Sequence, residues 1–545
     1  MNKRANVFTK ILVLVLLAFA QRAHTQTATI PIPPPANWHL LSPTTTAYQG
    51  IALNEAYSLL AKRNSVPVIV AVIDSGIDTL HNDLLQNLWH NPNEIPNNGI
   101  DDDKNGYVDD YYGWNFLGGA NNENLAQSVP EYYRLYHRFL KKYEEKTFIQ
   151  IPKNEQYLYQ QWLIAKNIVV TNYEAAIADS AFYKMQYRIL KQTSSIITSY
   201  LKREIFTIVT LDSLNEIQLS SRVTQAVKLW QQIAMDSEYN NIILISEYEK
   251  LLNKISEHIH QYTTPPTNYR DSILQNDGYN IATANYGNHN LMTSSGYHGT
   301  SVSSIIGAVR NNNLGIDGIA TNIKLMMVRA ILGSDEYDKD VALAIRYAVN
   351  NGAKVINMSF GKSLSPNRQW VDEAMAYALS KDVVLVHAAG NDSENIDSIF
   401  NYPNPYTLTG RLLPHFINVG ASTANGNKTL VANFSNYGKL MVTLFAPGNN
   451  ITCGIAYNGV QQASGTSLAA PMVSGVAALL RSYFPKLSAT QIVAIIKQSV
   501  TKVNRLIILP AYEKQEVPLA QLCQTGGMLN AYNAVQLALK YKYKN

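Results

Sequence analysis

Glycine is missing from one long stretch in the middle of this chain. The chain has 545 residues and 29 glycines, yet none lies between Ala120 and Asp277. Proline is also missing between Pro152 and Pro265. Turns and loops depend on these two residues, whereas helix interiors exclude them. The stretch therefore predicts a set of helices.

The residues within this stretch also favour helices. Tyr, Leu, Ile and Trp recur at roughly helical spacing among Lys, Glu and Gln in segments 131–146, 172–191 and 221–250. The stretch holds 17 basic and 17 acidic residues, so it offers no basic surface for nucleic acid. We predict an antiparallel, all-α region whose aromatic residues form its core and helix seams.

Outside this stretch, apolar runs alternate with amphipathic segments. Segments 66–73, 323–330, 354–358, 383–388, 415–420 and 441–445 predict buried strands, and segments 338–350 and 368–381 predict helices between them. This alternation is typical of a doubly wound, mostly parallel sheet with helices on both faces. We therefore predict an α/β fold with an all-α insertion.

Three polar residues are predicted to lie near the ligand-binding edge of such a sheet. Asp74 ends the first strand, and His298 and Ser467 lie at the starts of two small-residue helices. Open α/β sheets bind ligands at the carboxyl ends of their strands. A serine nucleophile needs a base, and the base needs a group that orients it. Ser467 taken alone is also compatible with a helix start packed tightly against the sheet.

The segments around these residues resemble the three catalytic boxes of the subtilisin-like (subtilase) serine peptidases. They are Val72-Ile73-Asp74-Ser75-Gly76-Ile77-Asp78, His298-Gly299-Thr300 and Gly465-Thr466-Ser467-Leu468-Ala469-Ala470-Pro471, in the family's order. The resemblance implies that Asp74 orients the base, that His298 is the general base and that Ser467 is the acylated nucleophile. It covers about residues 66–118 and 287–539.

Two further segments resemble parts of the same family. Val383 to Asn391 is a strand that leads to an amide, and the resemblance implies that Asn391 donates a hydrogen bond to the oxyanion. The resemblance also implies that Ser359, Phe360 and Gly361 pair with an extended peptide substrate. Segment 111–116 is similar to exported subtilases of Bacteroidota-type bacteria.

Two other readings of the chain stay open. A sedolisin-type acid peptidase shares the serine box but uses a carboxylate as its base, and the box around His298 argues against it. A catalytically idle or auxiliary adaptor would bind partners through the helical insertion, and the filled catalytic positions argue against that. For the peptidase, we expect the insertion to overhang the cleft and to restrict or contact substrates.

An acidic loop follows the Asp74 box. Its oxygen-bearing residues resemble the front of a calcium loop, and we predict calcium ligands at Asp101, Asp103, Asn105, Tyr107 (through its carbonyl) and Asp109. The loop departs from an EF-hand because its twelfth position is Tyr112. Asp110 is a candidate for the missing carboxylate, and a solvated acidic turn is the alternative.

The first twenty residues predict an export signal. Lys3, Arg4 and Lys10 precede or flank an apolar run that is too short to span a bilayer, and Ala18-Phe19-Ala20 resembles a cleavage site. We predict an exported protein, periplasmic, cell-surface or secreted, with no transmembrane segment. We expect the interval between Gln21 and the first strand to form a short arm, because it is shorter than the prodomain that many subtilases carry.

The predicted organisation has five parts. They are a signal peptide (1–20), an N-terminal arm with a helix near 52–63 (21–65), a first catalytic part (66–120), the helical insertion (121–286) and a second catalytic part (287–545). Cys453 and Cys523 are compatible either with one disulfide or with two buried thiols.

Overall fold

We describe the protein from a computed structural model. It describes residues 33–214, 217–234, 239–292, 296–333, 335–512 and 514–541. The predicted signal peptide, residues 1–20, lies outside the described residues. The described residues from Asn37 onward form one compact unit. The five-part division of the chain stays a prediction.

A nine-stranded sheet forms the centre of this unit. The strands of the described residues are β1 (Val68–Asp74), β2 (Gly113–Asn115), β3 (Ile323–Arg329), β4 (Val355–Met358), β5 (Val384–Ala388), β6 (Phe416–Ser422), β7 (Leu444–Pro447), β8 (Ile451–Ile455), β9 (Gly459–Ala463), β10 (Thr501–Lys502), β11 (Leu506–Ile508), β12 (Glu516–Pro518) and β13 (Gly527–Met528). The order of strands in the sheet is β10-β13-β7-β6-β5-β4-β1-β3-β2. Its neighbouring strands are parallel except β10 and β13. Two separate hairpins pair β8 with β9 and β11 with β12.

Helices cover both faces of the sheet and form the insertion. They are α1 (Leu53–Leu60), α2 (Glu131–Tyr143), α3 (Gln156–Leu201), α4 (Ile208–Asp212), α5 (Ser221–Ile233), α6 (Asn241–Thr263), α7 (Tyr269–Ile273), α8 (Tyr297–Gly307), α9 (Asp338–Asn350), α10 (Arg368–Ser380), α11 (Thr466–Tyr483), α12 (Ala489–Gln498) and α13 (Ala531–Lys540). The predicted α/β fold with an all-α insertion is confirmed, because α2 to α7 all lie between Asp74 and His298.

Strand β1 shows why the sheet is buried on both sides. Val70 and Val72 face the core formed with α8 and α11, and Ala71 and Ile73 face the core formed with α9 and α10. Successive side chains of a strand point to opposite faces. A run that is apolar at every position, as the sequence has here, therefore fits only a sheet that is covered twice.

The insertion is helical as predicted, but its helices have different bounds. Segment 172–191 lies inside α3, which runs without a break for 46 residues. Segment 221–250 holds two helices, α5 and the start of α6. The Asn240 side chain accepts a hydrogen bond from Ile243 N–H, and this N-cap starts a new helix within the segment.

Other predictions can be compared directly with the structure. The central strands and the helices α1, α9 and α10 lie at their predicted places, within a few residues. A capping box also starts α12, since Ser488 N–H donates to Gln491 Oε1 and Gln491 N–H donates to Ser488 Oγ. The short strands β2, β10 and β13 and both hairpins were not predicted.

Cys453 and Cys523 are both free and buried, so the disulfide alternative is wrong. They lie in different clusters of the core. Among the described residues, no helix combines the length and apolar character that a membrane crossing requires.

Candidate active site

Three neighbouring strands, β5, β4 and β1, bring the candidate residues to one edge of the sheet. Asp74 is the last residue of β1, Ser359 follows β4, and Asn391 lies three residues after β5. His298 and Ser467 are the second residues of α8 and α11. Because the three strands are parallel, their carboxyl ends open on the same side, as predicted.

Asp74 and His298 form a direct hydrogen bond. His298 Nδ1 lies 2.7 Å from Asp74 Oδ1, which also accepts a hydrogen bond from Ser75 N–H at 2.7 Å. Asp74 is 1% exposed, whereas the His298 side chain is 45% exposed. The Asp74 carboxylate raises the pKa of His298, and partial burial opposes that shift. Since Nδ1 donates to Asp74, Nε2 is left to accept a proton.

Ser467 belongs to a helix whose sixth residue is Pro471. A proline has no N–H, so the Ser467 carbonyl loses its usual helical donor four residues ahead. Ser359 Oγ donates to that carbonyl instead, at 2.8 Å. Asn357 Nδ2 in turn donates to Ser359 Oγ at 2.9 Å, and Ser474 Oγ donates to Asn357 Oδ1 at 2.8 Å. A chain of side chains therefore ties Ser467 to the end of β4.

Asn391 is fixed by the same helix start. Its Oδ1 accepts hydrogen bonds from Thr466 N–H at 2.8 Å and from Thr466 Oγ1 at 3.0 Å. This pairing assigns the oxygen and leaves the Asn391 NH₂ group free to donate. Leu468 N–H donates to Gly465 O, and within the described residues the Ser467 N–H has no acceptor. Two donors are thus available next to Ser467.

Gly465 has no space for a side chain. A Cβ placed on it would lie 2.8 Å from Ser467 Oγ, well inside van der Waals contact. Its φ of 163° is ordinary extended backbone, so the glycine is required by the close approach and not by strain. A small residue before Ser467 leaves the hydroxyl accessible.

A cavity of about 520 Å³ opens beside Ser467. The predicted substrate edge, Ser359 to Gly361, forms one wall, and Asn391 and Thr466 form another. Phe360 packs edge-on against His387 behind the wall, with ring centroids 6.3 Å apart. The cavity is large enough to hold one side chain of a peptide. Both Ser467 and the edge from Ser359 to Gly361 line it.

The acidic loop brings together only part of its predicted ligand set. Oxygens of Asp101, Asp103 and Glu94 lie within 4.8 Å of one another. Glu94 was missed, because it precedes the repeating pattern from which the site was predicted. Its Oε1 accepts the N–H groups of Asp102 and Asp103, whereas its buried Oε2 has no partner among the described residues.

The other predicted ligands have different contacts. Both Asp109 oxygens accept backbone N–H groups, from Asn98 at 2.9 Å and Gly99 at 3.0 Å. The Tyr107 ring packs against Trp114, with centroids 5.0 Å apart. Asn105 Nδ2 donates to Asp103 at 3.2 Å and to Asp110 at 3.1 Å. Asp109 therefore stabilises the loop itself, which the spacing of the acidic residues did not reveal.

The sequence profile of the Subtilase family matches residues 66–512. The chain belongs to the subtilase family. This subtilase is 36% identical to thermitase of Thermoactinomyces vulgaris over 241 residues, which are 44% of this chain and 75% of thermitase. The predicted family is confirmed, and the likeness to Bacteroidota-type members stays a prediction.

Two other relatives match a smaller share of their own length. Subtilisin-like protease 2 of Plasmodium falciparum is 38% identical over 188 residues, 34% of this subtilase and 13% of that protein. The thermophilic serine proteinase of Bacillus sp. strain AK1 is 40% identical over 187 residues, 34% of this chain and 42% of that protein. The subtilase thus spans less than half the length of each.

Proposed function

We propose that this subtilase is an exported serine endopeptidase that hydrolyses peptide bonds in proteins. The observation that carries the proposal is the 2.7 Å hydrogen bond between Asp74 and His298, at the strand ends beside which Ser467 begins its helix. Membership of the Subtilase family over residues 66–512 supports the same reaction.

In the proposed mechanism, Ser467 Oγ attacks the carbonyl carbon of the scissile bond. His298 Nε2 takes the serine proton, and Asp74 stabilises the imidazolium that forms. The tetrahedral intermediate then collapses as His298 gives the proton to the leaving amine, which leaves an acyl group on Ser467. Water repeats these steps and releases the acid.

The oxyanion receives hydrogen bonds from the Asn391 NH₂ group and the Ser467 N–H. Both donors are positioned before the substrate binds, because Thr466 fixes Asn391 and the helix start fixes Ser467. Donors that need no reorganisation stabilise developing charge most effectively. The start of a helix adds a favourable dipole for negative charge.

The substrate binds as an extended strand along Ser359, Phe360 and Gly361, and one of its side chains enters the adjacent cavity. Backbone pairing of this kind recognises peptides with little regard for sequence. We also propose that the helical insertion contacts or restricts substrates. Deleting residues 124–277 and finding an unchanged substrate profile would contradict this last proposal.

We propose that the acidic loop binds one structural calcium ion. Glu94, Asp101 and Asp103 supply carboxylate oxygens, the ligands that calcium prefers. The buried, unpartnered Glu94 Oε2 supports the site, since such an oxygen is costly unless something pairs with it. The ion would stabilise the loop and takes no part in the reaction.

Export rests on the predicted signal peptide, residues 1–20. The experiment for the proposed function is casein hydrolysis by a chain that begins at Gln21, beside its Ser467→Ala variant. We expect peptide release by the first protein and none by the second. An equal rate for both would show that another residue, or a contaminant, hydrolyses casein.

A further inference from the structure

The predicted substrate edge ends at a buried lysine. Lys362 directly follows Gly361 and is 5% exposed. Its Nζ lies 3.0 Å from Glu131 Oε2 and 2.8 Å from Asp338 Oδ1, and it donates to the Glu336 carbonyl at 2.6 Å. The residue next to the edge is thus fixed from three sides.

Glu131 is the first residue of α2 and belongs to the helical insertion. Its Oε2 accepts hydrogen bonds from Arg134 and Lys362, and its Oε1 accepts one from the Tyr279 hydroxyl at 2.6 Å. Burial opposes ionisation of Glu131, but Arg134 and Lys362 outweigh it and hold the pKa of this carboxyl well below its usual range. Both oxygens of a 1%-exposed carboxylate therefore have charged or polar partners.

Glu131 touches a second residue of the cavity wall through its backbone. Its N–H donates to Asp335 Oδ2 at 2.8 Å, and Asp335 and Lys362 both line the cavity beside Ser467. A single insertion residue therefore contacts the cavity wall at two points. The contact is polar and directional, so it fixes position in a way that an apolar contact of the same area does not.

The edge packs closely against the segment that holds Asn401 and Tyr402. A Cβ on Gly361 would lie 2.6 Å from Asn401 Oδ1. The backbones of Lys362 and Tyr402 exchange two hydrogen bonds, at 2.9 and 3.2 Å. Any displacement of Lys362 must therefore shift the edge along with it.

We propose that Glu131 is a positioning residue for peptide binding: through Lys362 and Asp335, the insertion fixes the substrate edge at the register in which a peptide pairs with it. This inference rests on the proposed peptidase function. The insertion then affects peptide binding through Glu131, at the buried start of α2. This effect does not depend on whether the insertion also covers the cleft. An extended peptide depends on the edge, whereas a small ester depends only on Ser467 and its immediate neighbours.

The test is the Glu131→Gln variant of the full chain, assayed with two substrates. One is p-nitrophenyl acetate, and the other is a quenched fluorescent peptide taken from a casein site that the wild type cleaves. We expect KM for the peptide to rise about tenfold with kcat within about twofold, and kcat/KM for the ester to stay within about twofold. If Glu131 had a purely structural role, its replacement would lower kcat/KM for the ester and for the peptide by the same factor.

Lys142→Gln is the matched control. Lys142 lies on the same helix and pairs with Glu155 at the surface, with its side chain 43% exposed, so the rates for both substrates should stay unchanged. If Glu131→Gln does not fold by circular dichroism, Tyr279→Phe removes only one partner of Glu131, and we expect a smaller rise of KM for the peptide.

Equal losses for the ester and the peptide, or no change for either, would overturn the inference. An unchanged peptide KM in folded Tyr279→Phe, where that variant replaces Glu131→Gln, would also overturn it. A wild type that hydrolyses neither substrate would contradict the proposed function, and the inference with it. The wild-type rates thus test the proposed peptidase function. The change for the peptide in Glu131→Gln, compared with the change for the ester, tests the role of Glu131.

Discussion

Thr466 holds the side-chain amide of Asn391 from two directions. Its backbone N–H and its hydroxyl both donate to Asn391 Oδ1, at 2.8 and 3.0 Å. The residue immediately before Ser467 therefore orients the proposed oxyanion donor. The helix that presents the hydroxyl and the loop that presents the amide are therefore coupled directly.

Thr466→Val keeps the shape of the residue but removes its hydroxyl. We expect kcat for a peptide substrate to fall about tenfold, because loss of one orienting hydrogen bond lets the amide rotate. Asn391→Ala removes the donor itself and should cost about two to three orders of magnitude in kcat. Thr466→Ser retains the hydroxyl and should stay within about threefold. A Thr466→Val enzyme with wild-type kcat would contradict the orienting role.

Gly465→Ala tests the space around Ser467. The new Cβ would lie 2.8 Å from Ser467 Oγ, so the hydroxyl must move or lose access to the substrate. We expect activity on casein to fall at least about a hundredfold while circular dichroism stays unchanged. Gly410→Ala, where a Cβ meets nothing within 4 Å, should leave activity intact even though its φ of +79° strains an alanine. Full activity of Gly465→Ala would argue against the geometry described for Ser467.

The pH dependence follows from His298. Asp74 raises the pKa of His298, and only the neutral imidazole can accept the serine proton. Activity should therefore fall as the pH drops through a value above 6.5. NMR titration of the imidazole should show a lower pKa in Asp74→Asn, because the charge that raises it is gone. The interaction between Asp74 and protonated His298 stabilises the folded state below pH 6.5. This contribution is lost as the pH rises through the folded-state pKa of His298. An unchanged pKa in Asp74→Asn would show that another group sets it.

Calcium should stabilise the protein through the acidic loop. We expect calcium to raise the melting temperature of the wild type, and Glu94→Gln and Asp103→Asn to remove most of that increase. The comparison is made by thermal scans with calcium and with a chelator. Asp179→Asn, an exposed carboxylate on α3, is the control and should respond like the wild type. A calcium effect that survives both loop variants would place the ion elsewhere.

Glu336 should make stability fall with rising pH. Burial raises the pKa of Glu336 to about 7, so the folded state retains a proton that the unfolded chain releases at lower pH. Its contribution to the free energy of unfolding decreases as the pH rises from 4.5 to 7, by at most about 3 kcal/mol. Glu336→Gln should therefore raise the melting temperature at pH 8 and have little effect at pH 5. Glu373→Gln, at the surface of α10, should change neither value, and a loss of stability at pH 8 in Glu336→Gln would contradict the assigned cause.

The parts of the fold that the sequence predicted are those set by local pattern. Strand β1 was predictable because every position from Val70 to Ile73 is apolar, and the insertion because glycine and proline are missing. The unbroken length of α3 and the break before α6 were not, since helix ends depend on single caps such as Asn240 and on packing.

The candidate site divides in the same way. Asp74, His298 and Ser467 could be placed because each follows or begins a recognisable element. The contact between Glu131 and Lys362 could not, because the two residues are 231 positions apart and neither belongs to a pattern. Glu94 joins Asp101 and Asp103 only when the chain folds back. Contacts of this kind are a property of the tertiary structure and leave little trace in local sequence.

The most direct test of the proposed function is covalent labelling of Ser467. A fluorophosphonate probe reacts with a serine only when a neighbouring base activates it. We predict that mass spectrometry will find the probe on Ser467 in the wild type, and that His298→Ala, with an unchanged circular dichroism spectrum, will not be labelled. A wild type that is folded and takes up no probe, or equal labelling of Ser467 in His298→Ala, would contradict the account.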